Sequence, residues 1–514
     1  MAKRSRLESA HRVGGPARKR RRWLWTLLTL LVLLPFLSLL AATAYALWRF
    51  LPDQPVDYAD PESHFRYGST GGERVLGIPY WIWQAMPRLC PEQLPDAATP
   101  QEQPYASLGM IYEPGRDLPV GVSKRRYLGL DRVFLNCAAC HTSTLRQSPQ
   151  DEPRVLSGMP ANSFDLMAFQ RFFFECAADR RFTADHVVPL IEQMSGGLSL
   201  IDRYLVYPAA VYLARDQVLR LRGRFAYLYT QPEWGPGRVD TSSSAKVLLG
   251  FPFPQLPPQE RIGTADFPSI WLQRLRLGMQ LHWDGNNDKM EERNRSAAFG
   301  TGATPPTLDR ERLRRVEEWL LDLSPPRSPF AVDPHRAARG KVLYGSYCAD
   351  CHGADGRDFT GGRVGTVIPI VEIGTDRRRL DSYTHELAVN QATLYTGYGE
   401  ERFSRFRKTF GYAAMPLDGI WLRAPYLHNG SVPTLRDLLE PAELRPRRFY
   451  RGNDVYDPER VGFESQVAAQ GGRRYFLFDT QTAGNSNAGH EGQAYGTELS
   501  PADKDALVEF LKTF

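Results

Sequence analysis

The folded part of this sequence lacks an excess of either charge. The chain of 514 residues has 64 Lys and Arg against 58 Asp and Glu, a formal net charge of +6. Residues 1–22 alone hold nine Lys or Arg and one Glu, a net +8, so residues 23–514 sum to −2. A nucleic-acid-binding body would carry a clear positive excess. The near-neutral body therefore excludes a nucleic-acid partner.

Charged residues are missing altogether from residues 23–48, a mostly apolar run. This run is longer than the ~20 residues that cross a bilayer as a helix, and longer than the core of a usual secretory signal. Basic residues 18–22 directly precede it, so the positive-inside rule keeps residues 1–22 in the cytoplasm. We expect a single-pass anchor in the inner (cytoplasmic) membrane and a periplasmic body. Ala42, Ala44 and Ala46 leave a cleaved signal as the alternative.

Patterns typical of strands are sparse, so we expect a mainly α fold. Apolar side chains recur at helical spacing in residues 162–194 and 308–323. Asp333 followed by Pro334 predicts the start of another helix, and Ser500 followed by proline predicts a closing one.

A proline-rich stretch at 324–329, SPPRSP, is the best candidate for a linker. It divides the body into a first domain at 50–324 and a second domain at 333–514. A chain of this length is expected to form two domains, each with its own core.

Cysteine is scarce, with six in the chain, yet four of the six follow one pattern twice. C-x-x-C-H occurs as Cys137-Ala-Ala-Cys140-His141 and as Cys348-Ala-Asp-Cys351-His352. On a helix, residues three and four apart share one face, so two thiols and an imidazole point the same way. This pattern attaches c-type haem, whose vinyl groups bond the thiols while the imidazole binds the iron. The sequence predicts two covalently bound haems c, attached outside the cytoplasm.

Zinc binding and a thioredoxin-like redox pair are the alternatives for these thiols. Zinc would need a second C-x-x-C or paired histidines near the first pair, and the sequence has neither. A redox pair does not explain the histidine that follows both motifs. The remaining Cys90 and Cys176 either form a disulfide in an oxidising compartment or stay free.

A faint internal repeat supports the division into two domains. PSIW at 268–271 precedes HWDG at 282–285, and PLDGIW at 416–421 precedes LHNG at 427–430. Each pair follows its own C-x-x-C-H motif, as duplication of one haem-binding unit would give.

These motifs resemble the bacterial dihaem cytochrome c peroxidase superfamily, which includes the methylamine-dehydrogenase maturation enzyme and the rubber oxygenases. The similarity rests on the paired C-x-x-C-H motifs, on WDG at 283–285 and on APYLHNGS at 424–431, and covers the chain from about residue 79. IPYWIW at 78–83, NCAACHT at 136–142 and GNSNAGHE at 484–491 are most similar to the rubber-oxygenase-like dihaem cytochromes c. The resemblance implies two cytochrome c-like haem domains with long loops, but it names no substrate.

The resemblance implies that His141 and His352 are the proximal iron ligands. It also implies that Trp283 lies between the two haems, with a plain core aromatic as the alternative. In the peroxidases a Gln and a Glu follow this Trp and serve the peroxide site. Arg293 and Ala303 occupy those positions here, so the acid–base Glu is missing by simple register.

A small insertion would bring Glu291 or Glu292 near the position of the missing acid. Phe299 is instead a candidate apolar residue over the first haem, with core packing as the alternative. A dry pocket there would favour bound dioxygen over a charged intermediate.

The second haem also departs from the peroxidase pattern. Val432 stands where the peroxidases have a Met or Tyr ligand, and valine cannot bind iron. His490, in GNSNAGHE, matches the histidine that caps this haem in rubber-oxygenase-like proteins. Met415, His428 and a merely structural role for His490 are the alternatives. Two imidazole ligands would make this a low-spin, electron-transferring haem.

We therefore expect a membrane-anchored periplasmic dihaem c-type cytochrome that acts as an oxidoreductase. Its first haem, on His141, would have an open side for dioxygen or hydrogen peroxide. Its second haem, on His352 and His490, would relay or store electrons through Trp283, and the partner would be a redox protein or an organic substrate. A pure electron-transfer dihaem cytochrome is the alternative.

The resemblance also allows a calcium ion, Ca²⁺, between the domains, near Asp266 and Pro416. No local cluster of carboxylates in the sequence supports it.

Overall fold

The computed structural model of this chain describes residues 16–95 and 102–514. Helices make up 46% of the described residues, in agreement with a mainly α fold. The chain divides into two compact units, Met1–Gln54 with Arg126–Leu130, and Pro55–Arg125 with Asp131–Phe514. Residues 1–15 of the basic N-terminal segment lie outside the described residues.

The first unit contains one long helix, α1, at Pro16–Phe50. It includes the whole uncharged run 23–48, with Pro35 inside it. Its stretch Arg20–Phe50 is long and apolar enough to cross a membrane. A secretory signal near an N-terminus has the same character. The prediction of one apolar N-terminal helix is confirmed.

The second unit is built mainly from helices joined by long irregular segments. Its α-helices are α2 Pro61–Tyr67, α3 Tyr80–Leu89, α4 Leu166–Ala178, α5 Ala184–Ser195, α6 Tyr207–Arg224, α7 Thr241–Leu248, α8 Met290–Gly300, α9 Arg310–Asp322, α10 Pro334–Tyr347, α11 Ala349–His352, α12 Ile370–Ile373, α13 Arg378–Ser382, α14 His385–Leu394, α15 Leu435–Leu438 and α16 Pro501–Leu511. A π-helical turn, Asp202–Val206, runs directly into α6.

Two helices begin at the residues that the sequence predicts. The carboxylate of Asp333 accepts hydrogen bonds from the backbone N–H groups of His335 and Arg336, at the start of α10. The hydroxyl of Ser500 accepts from the N–H of Asp503 at the start of α16. Such caps are local, and for that reason they can be recognised in a sequence.

The other two helical runs are also confirmed. The predicted run 308–323 contains α9, Arg310–Asp322, whereas the run 162–194 corresponds to two helices, α4 and α5. The break occurs at Asp179, which ends α4 in an extended conformation. The Asp179 carboxylate accepts from the backbone N–H of Arg181, and this local turn competes with continuation of the helix.

The strands are short and mostly form two-stranded antiparallel pairs. In chain order they are β1 Gln54–Pro55, β2 Ile78–Pro79, β3 Val122–Tyr127, β4 Leu130–Leu135, β5 Thr142–Leu145, β6 Arg154–Ser157, β7 Arg238–Val239, β8 Ala265–Asp266, β9 Val367–Pro369, β10 Gly411–Ala413, β11 Arg448–Arg451, β12 Tyr456–Asp457, β13 Gly462–Phe463, β14 Ala469–Gln470, β15 Arg473–Arg474 and β16 Phe476–Asp479. β4 lies between β3 and β2. In β5–β6 Thr142 is opposite Ser157, and in β9–β10 Ile368 is opposite Tyr412.

A buried apolar cluster of the second unit includes side chains from both sides of the predicted linker. Leu156 and Trp271 come before it, whereas Tyr344 and Trp421 come after it. Residues 324–329 have no regular secondary structure, as a linker requires. The two halves nevertheless share this core, and the division into domains 50–324 and 333–514 stays a prediction.

Candidate functional site

The first C-x-x-C-H motif forms a tight helical turn between β4 and β5. Cys137–Ala139 is a 3-10 helix. The backbone N–H of His141 donates to the carbonyl of Cys137 at 3.2 Å. The side chain of Asn136 caps this turn by accepting from the N–H of Ala138 at 3.0 Å.

The second motif forms a similar turn directly after α10. Cys348 follows the last residue of α10, and the next four residues form α11. The N–H of His352 donates to the carbonyl of Cys348 at 3.0 Å, which repeats the contact within the first motif. Each motif therefore brings two thiols and an imidazole into one helical turn, as the spacing predicts.

The two motif histidines make the same hydrogen bond through Nδ1. The Nδ1 of His141 lies 2.8 Å from the carbonyl oxygen of Pro268, and that of His352 lies 2.7 Å from the carbonyl oxygen of Met415. Because a carbonyl oxygen can only accept, each Nδ1 carries the proton and each Nε2 keeps a lone pair for a metal. Pro268 and Pro416 open the two copies of the internal repeat. The repeat therefore marks the segments that orient the two imidazoles, although the bonds themselves were not predicted.

The motif histidines are neutral near pH 7. Burial, with a contribution from the nearby Arg293, lowers the pKa of His141 to about 3. Burial also lowers the pKa of His352. A neutral imidazole is the form that binds a metal ion, so both side chains suit iron ligation.

The motif thiols fit zinc or redox chemistry poorly. Burial raises the pKa of Cys137 to about 11 and those of Cys140 and Cys348 to about 12. Reactive redox cysteines are thiolates, which such pKa values disfavour. Within residues 16–95 and 102–514, no group of three or more His, Cys, Asp or Glu side chains is placed to hold a metal ion. These observations favour thioether attachment over both alternatives.

The imidazole of His490 faces that of His352. Their ring centres are 6.2 Å apart, and the ring planes are inclined by 42°. Two imidazoles that bind one metal ion from opposite sides place their ring centres roughly 6 Å apart, because each metal–nitrogen bond is about 2 Å long. The buried Nδ1 of His490 has no hydrogen-bond partner in the described part of the chain. The pair therefore fits a haem iron between the two rings.

The loop that carries His490 is held through its backbone. The N–H of His490 donates to the carbonyl of Ile373 at 2.7 Å, and Arg445 donates to the carbonyls of Gly489 and His490. Gly489 has φ +81°, and a Cβ at this position would overlap the neighbouring backbone. Burial is the main cause that lowers the pKa of His490 to about 3, and the neighbouring side chains of His352 and Arg445 add to it. The loop thus presents a neutral imidazole.

His428, one of the alternative ligands, is engaged elsewhere. Its ring stacks on Tyr412 with ring centres 4.0 Å apart, and its Nε2 lies 3.0 Å from the Tyr412 hydroxyl. These contacts favour His490 over His428 as the second ligand. Met415 contacts His352 through its backbone carbonyl, which does not involve its thioether.

Trp283 connects the two segments that orient the motif histidines. Its indole N–H donates to the carbonyl of Asp266 at 2.7 Å, two residues before Pro268. Its own carbonyl accepts from the N–H of Ala413 at 2.9 Å, two residues before Met415. Half-buried Trp283 is therefore hydrogen-bonded to both segments, and its position between two haems stays a prediction.

Phe299 packs among aromatic side chains. Its ring centre lies 4.9 Å from that of Tyr395 and 5.6 Å from that of Phe403. Neither neighbour belongs to a C-x-x-C-H motif, so the position of Phe299 over the first haem stays a prediction. Arg293, on the same helix α8, is near enough to His141 to affect its pKa.

The sequence did not point to Glu317, a protonatable carboxyl near the first motif. Its Oε1 is buried and has no hydrogen-bond partner among the described residues. Burial raises the pKa of Glu317 to about 7. Burial is also the main cause of the raised pKa of Cys137, and the charge of Glu317 adds to it. Glu317 is one of several acids on α9, and no local pattern distinguishes it from the exposed ones.

Two of the carboxylates considered for calcium binding or acid–base catalysis, Asp266 and Glu292, accept hydrogen bonds from other groups. Asp266 accepts two hydrogen bonds from Arg451, at 2.8 and 3.1 Å. The calcium prediction therefore gains no support at this residue. Glu292 accepts from the backbone N–H groups of Ser404 and Arg405 at 3.0 and 2.9 Å, whereas Glu291 is exposed.

Cys90 and Cys176 form a disulfide, with Cα atoms 5.7 Å apart. The bond joins the C-terminal end of α3 to α4. Their separation of 86 residues left the pairing open in the sequence, because it depends on how two distant helices pack.

Comparison with known proteins places this chain among relatives from one bacterium. It is 31% identical over 317 residues to the uncharacterized protein y4iM of Sinorhizobium fredii (strain NBRC 101917 / NGR234), a match that covers 54% of this chain and 70% of y4iM. The chain belongs to the y4iM family. The uncharacterized protein y4iJ of the same strain is similar to this y4iM-family chain at 31% identity over 257 residues, covering 38% of the chain and 42% of y4iJ.

A further match concerns the segment beside the second motif. Residues 411–450 of this y4iM-family protein match the RoxA-like, cytochrome c-like family. The matched segment includes Met415, whose carbonyl orients His352. This family match supports the resemblance to the rubber-oxygenase-like cytochromes. A cytochrome c-like domain implies covalently bound haem c.

Proposed function

We propose that this protein is a membrane-anchored periplasmic oxidoreductase with two unequal haems c. The first haem is attached to Cys137 and Cys140 and held by His141. The second haem is attached to Cys348 and Cys351 and held by His352 and His490. On this proposal the chain resembles the rubber-oxygenase-like members of the dihaem peroxidase superfamily.

The difference in what faces the two motif histidines carries the proposal. His490 faces His352 at a separation of 6.2 Å, which suits two ligands on one iron. Among the described residues, the ring contacts include no imidazole or aromatic partner for His141. The shared Nδ1 hydrogen bonds support ligation by both histidines, and on this difference we propose that the first iron keeps a free position.

When bound, a haem with a free iron position reacts with dioxygen or peroxide, and a haem with two imidazole ligands exchanges electrons. His141 would hold the first haem through Nε2, with its ring fixed by the Pro268 carbonyl. His490 would occupy the second site and exclude small oxidants from it. Trp283 is hydrogen-bonded to both segments, which supports a role for it in electron exchange between the sites.

The side chains near the first motif would determine what happens on its open side. Phe299 and its aromatic neighbours would keep water out. Arg293, whose positive charge acts on His141, would attract anionic groups. The reducing partner is a redox protein or an organic substrate, and its identity is not fixed by these residues.

Support for a periplasmic body comes from two independent features. The helix Arg20–Phe50 can cross a membrane, with basic residues on its N-terminal side. The disulfide between Cys90 and Cys176 suits an oxidising compartment. A protein retained in the cytoplasm would have neither haem attachment nor this bond.

Carbon monoxide titration of the reduced, haem-loaded protein tests the proposal. We expect two haems per chain and one bound carbon monoxide. The double variant Cys137→Ser, Cys140→Ser should keep one haem and lose carbon monoxide binding. The double variant Cys348→Ser, Cys351→Ser should also keep one haem, and it should still bind carbon monoxide. No carbon monoxide binding in the unaltered protein would favour a pure electron-transfer cytochrome instead.

A further inference from the structure

An exposed apolar stripe runs along the helical segment that ends in α6. Its side chains are Leu200, Ile201, Tyr204, Leu205, Tyr212 and Leu213, and all six are exposed to solvent. Leu205 and Tyr212 are 67% and 71% exposed, respectively. Monomeric soluble proteins seldom leave such contiguous apolar surface uncovered.

The stripe is a second apolar face on a helix whose first apolar face is already buried. Positions 201, 205 and 212 are four and seven residues apart. Each interval is close to a whole number of helical turns, also across the π-helical turn Asp202–Val206, so the three residues lie on one side of the helix. Tyr207, Val211 and Val218 are buried on the other side. An ordinary surface helix would be polar on its outward face, so the fold of the body does not explain the stripe.

The composition around the stripe is typical of a helix at a membrane surface. Tyr204 and Tyr212 stand among the exposed aliphatic side chains, and tyrosine favours the boundary between headgroups and acyl chains. Residues 198–224 contain five Arg and two Asp. Two of these arginines pair with Glu192 and Glu175 of neighbouring elements, so the tyrosines and the aliphatic side chains favour a membrane surface more strongly than the charge does.

The chain itself keeps the body near a bilayer. Ten residues, 51–60, separate the end of α1 from the start of α2. Even fully extended, ten residues span at most roughly 35 Å. A body on such a short tether meets the lipid surface constantly, so a bilayer is the apolar partner at the highest local concentration.

We propose that the apolar stripe of residues 200–213 docks on the membrane surface, inserting its side chains between acidic phospholipids. The inference rests on the membrane anchor of the proposed function, but not on its haems. Docking would fix the orientation of the body on its tether. A second copy of the chain and a soluble partner protein are the competing occupants.

A labelled cysteine measures what covers the stripe. Leu205→Cys and Val342→Cys are matched positions, 67% and 72% exposed, and Val342 lies on α10 outside the stripe. Each full-length, haem-loaded variant is labelled with an environment-sensitive fluorophore and placed in nanodiscs that contain acidic phospholipid. Quenching is then measured with a nitroxide on the lipid acyl chain and with aqueous iodide. Unchanged haem content shows that each variant is folded.

We expect lipid nitroxide to quench the probe at position 205 several-fold more than the probe at 342, and iodide to show the reverse order. Equal quenching of both probes by iodide, with none by lipid, would overturn the proposal. Shielding of position 205 from both quenchers would overturn it in favour of a protein partner. A mature protein that lacks residues 1–50 by mass spectrometry would also overturn it, because the tether would be gone. Haem spectra report separately on the proposed function.

Discussion

At the scale of single residues, the account depends on the histidine that faces His352. The sequence suggested His490 by resemblance, and the structure places its ring 6.2 Å from that of His352. The pairing depends on a loop 138 residues further along the chain, held by Arg445 and by a glycine with positive φ. Local pattern cannot reveal such a contact, because it is made by tertiary packing.

Replacing His490 tests the second ligand. His490→Ala should convert the second haem from low spin to a form that binds carbon monoxide, raising the stoichiometry from one to two per chain. His490→Met should restore six-coordination with a different reduction potential. Optical spectra and potentiometry measure both changes. The control Met415→Leu should leave the spectrum unchanged. If the low-spin signal is lost in Met415→Leu and kept in His490→Ala, Met415 and not His490 is the second ligand.

Glu317 should make stability depend on pH. Burial raises its pKa from 4.5 to about 7, so between these pH values the folded protein binds more protons than the unfolded chain. Stability therefore falls as pH rises through this window. We expect Glu317→Gln to match the unaltered protein at pH 5 and to be more stable by roughly 2 kcal/mol at pH 8.

Thermal unfolding at the two pH values measures this effect. The groups whose charges act on Glu317 are Glu291, Arg295 and Glu318, and the Asn294 side chain lowers its pKa against the effect of burial. Glu318 is an exposed neighbour on the same helix and gives a matched control. A Glu318→Gln variant with the same pH dependence as Glu317→Gln would rule out a special role for Glu317.

At the scale of elements, the sequence predicted what local chemistry determines. The caps at Asp333 and Ser500 and the periodic run of α9 are all found in the structure. Some two-residue strands were missed because their partners are distant, as in the pairing of Arg238 with Asp266. Two-residue strands carry too little alternation to be recognised from sequence.

Trp283 should matter for electron exchange between the segments that it joins. Trp283→Phe removes the indole hydrogen bond to Asp266, at a cost of about 1 kcal/mol, and should slow electron equilibration between the two haems. Stopped-flow reduction followed at both haem bands measures the rate. As a control, Trp421→Phe removes another indole hydrogen bond, from Trp421 to the Pro326 carbonyl. It leaves the hydrogen bonds of Trp283 intact. Equal slowing in both variants would mean a general packing effect.

The disulfide should stabilise the α3–α4 pair without affecting the haems. Closing a loop of 86 residues contributes at most about 4.5 kcal/mol through the unfolded chain. The double variant Cys90→Ala, Cys176→Ala should unfold at lower denaturant concentration and keep both haem spectra. Loss of haem in this variant would show that the bond is needed for maturation instead.

At the scale of the whole molecule, the sequence predicted a helical body behind an apolar helix, and both are found. The predicted division at 324–329 is less informative, because buried Trp271 and Trp421 from either side of it lie in one cluster. A proline-rich stretch shows where regular structure stops, but not whether the halves pack separately. That depends on contacts between residues far apart in the chain, which periodicity does not contain.

If the chain holds two haems with different ligand sets, electron paramagnetic resonance of the oxidised, full-length protein will distinguish them. We expect one high-spin signal from the site on His141. We also expect one low-spin signal, typical of two imidazole ligands, from the site on His352 and His490. Two low-spin signals, or a single haem, would contradict the proposal of two unequal haems.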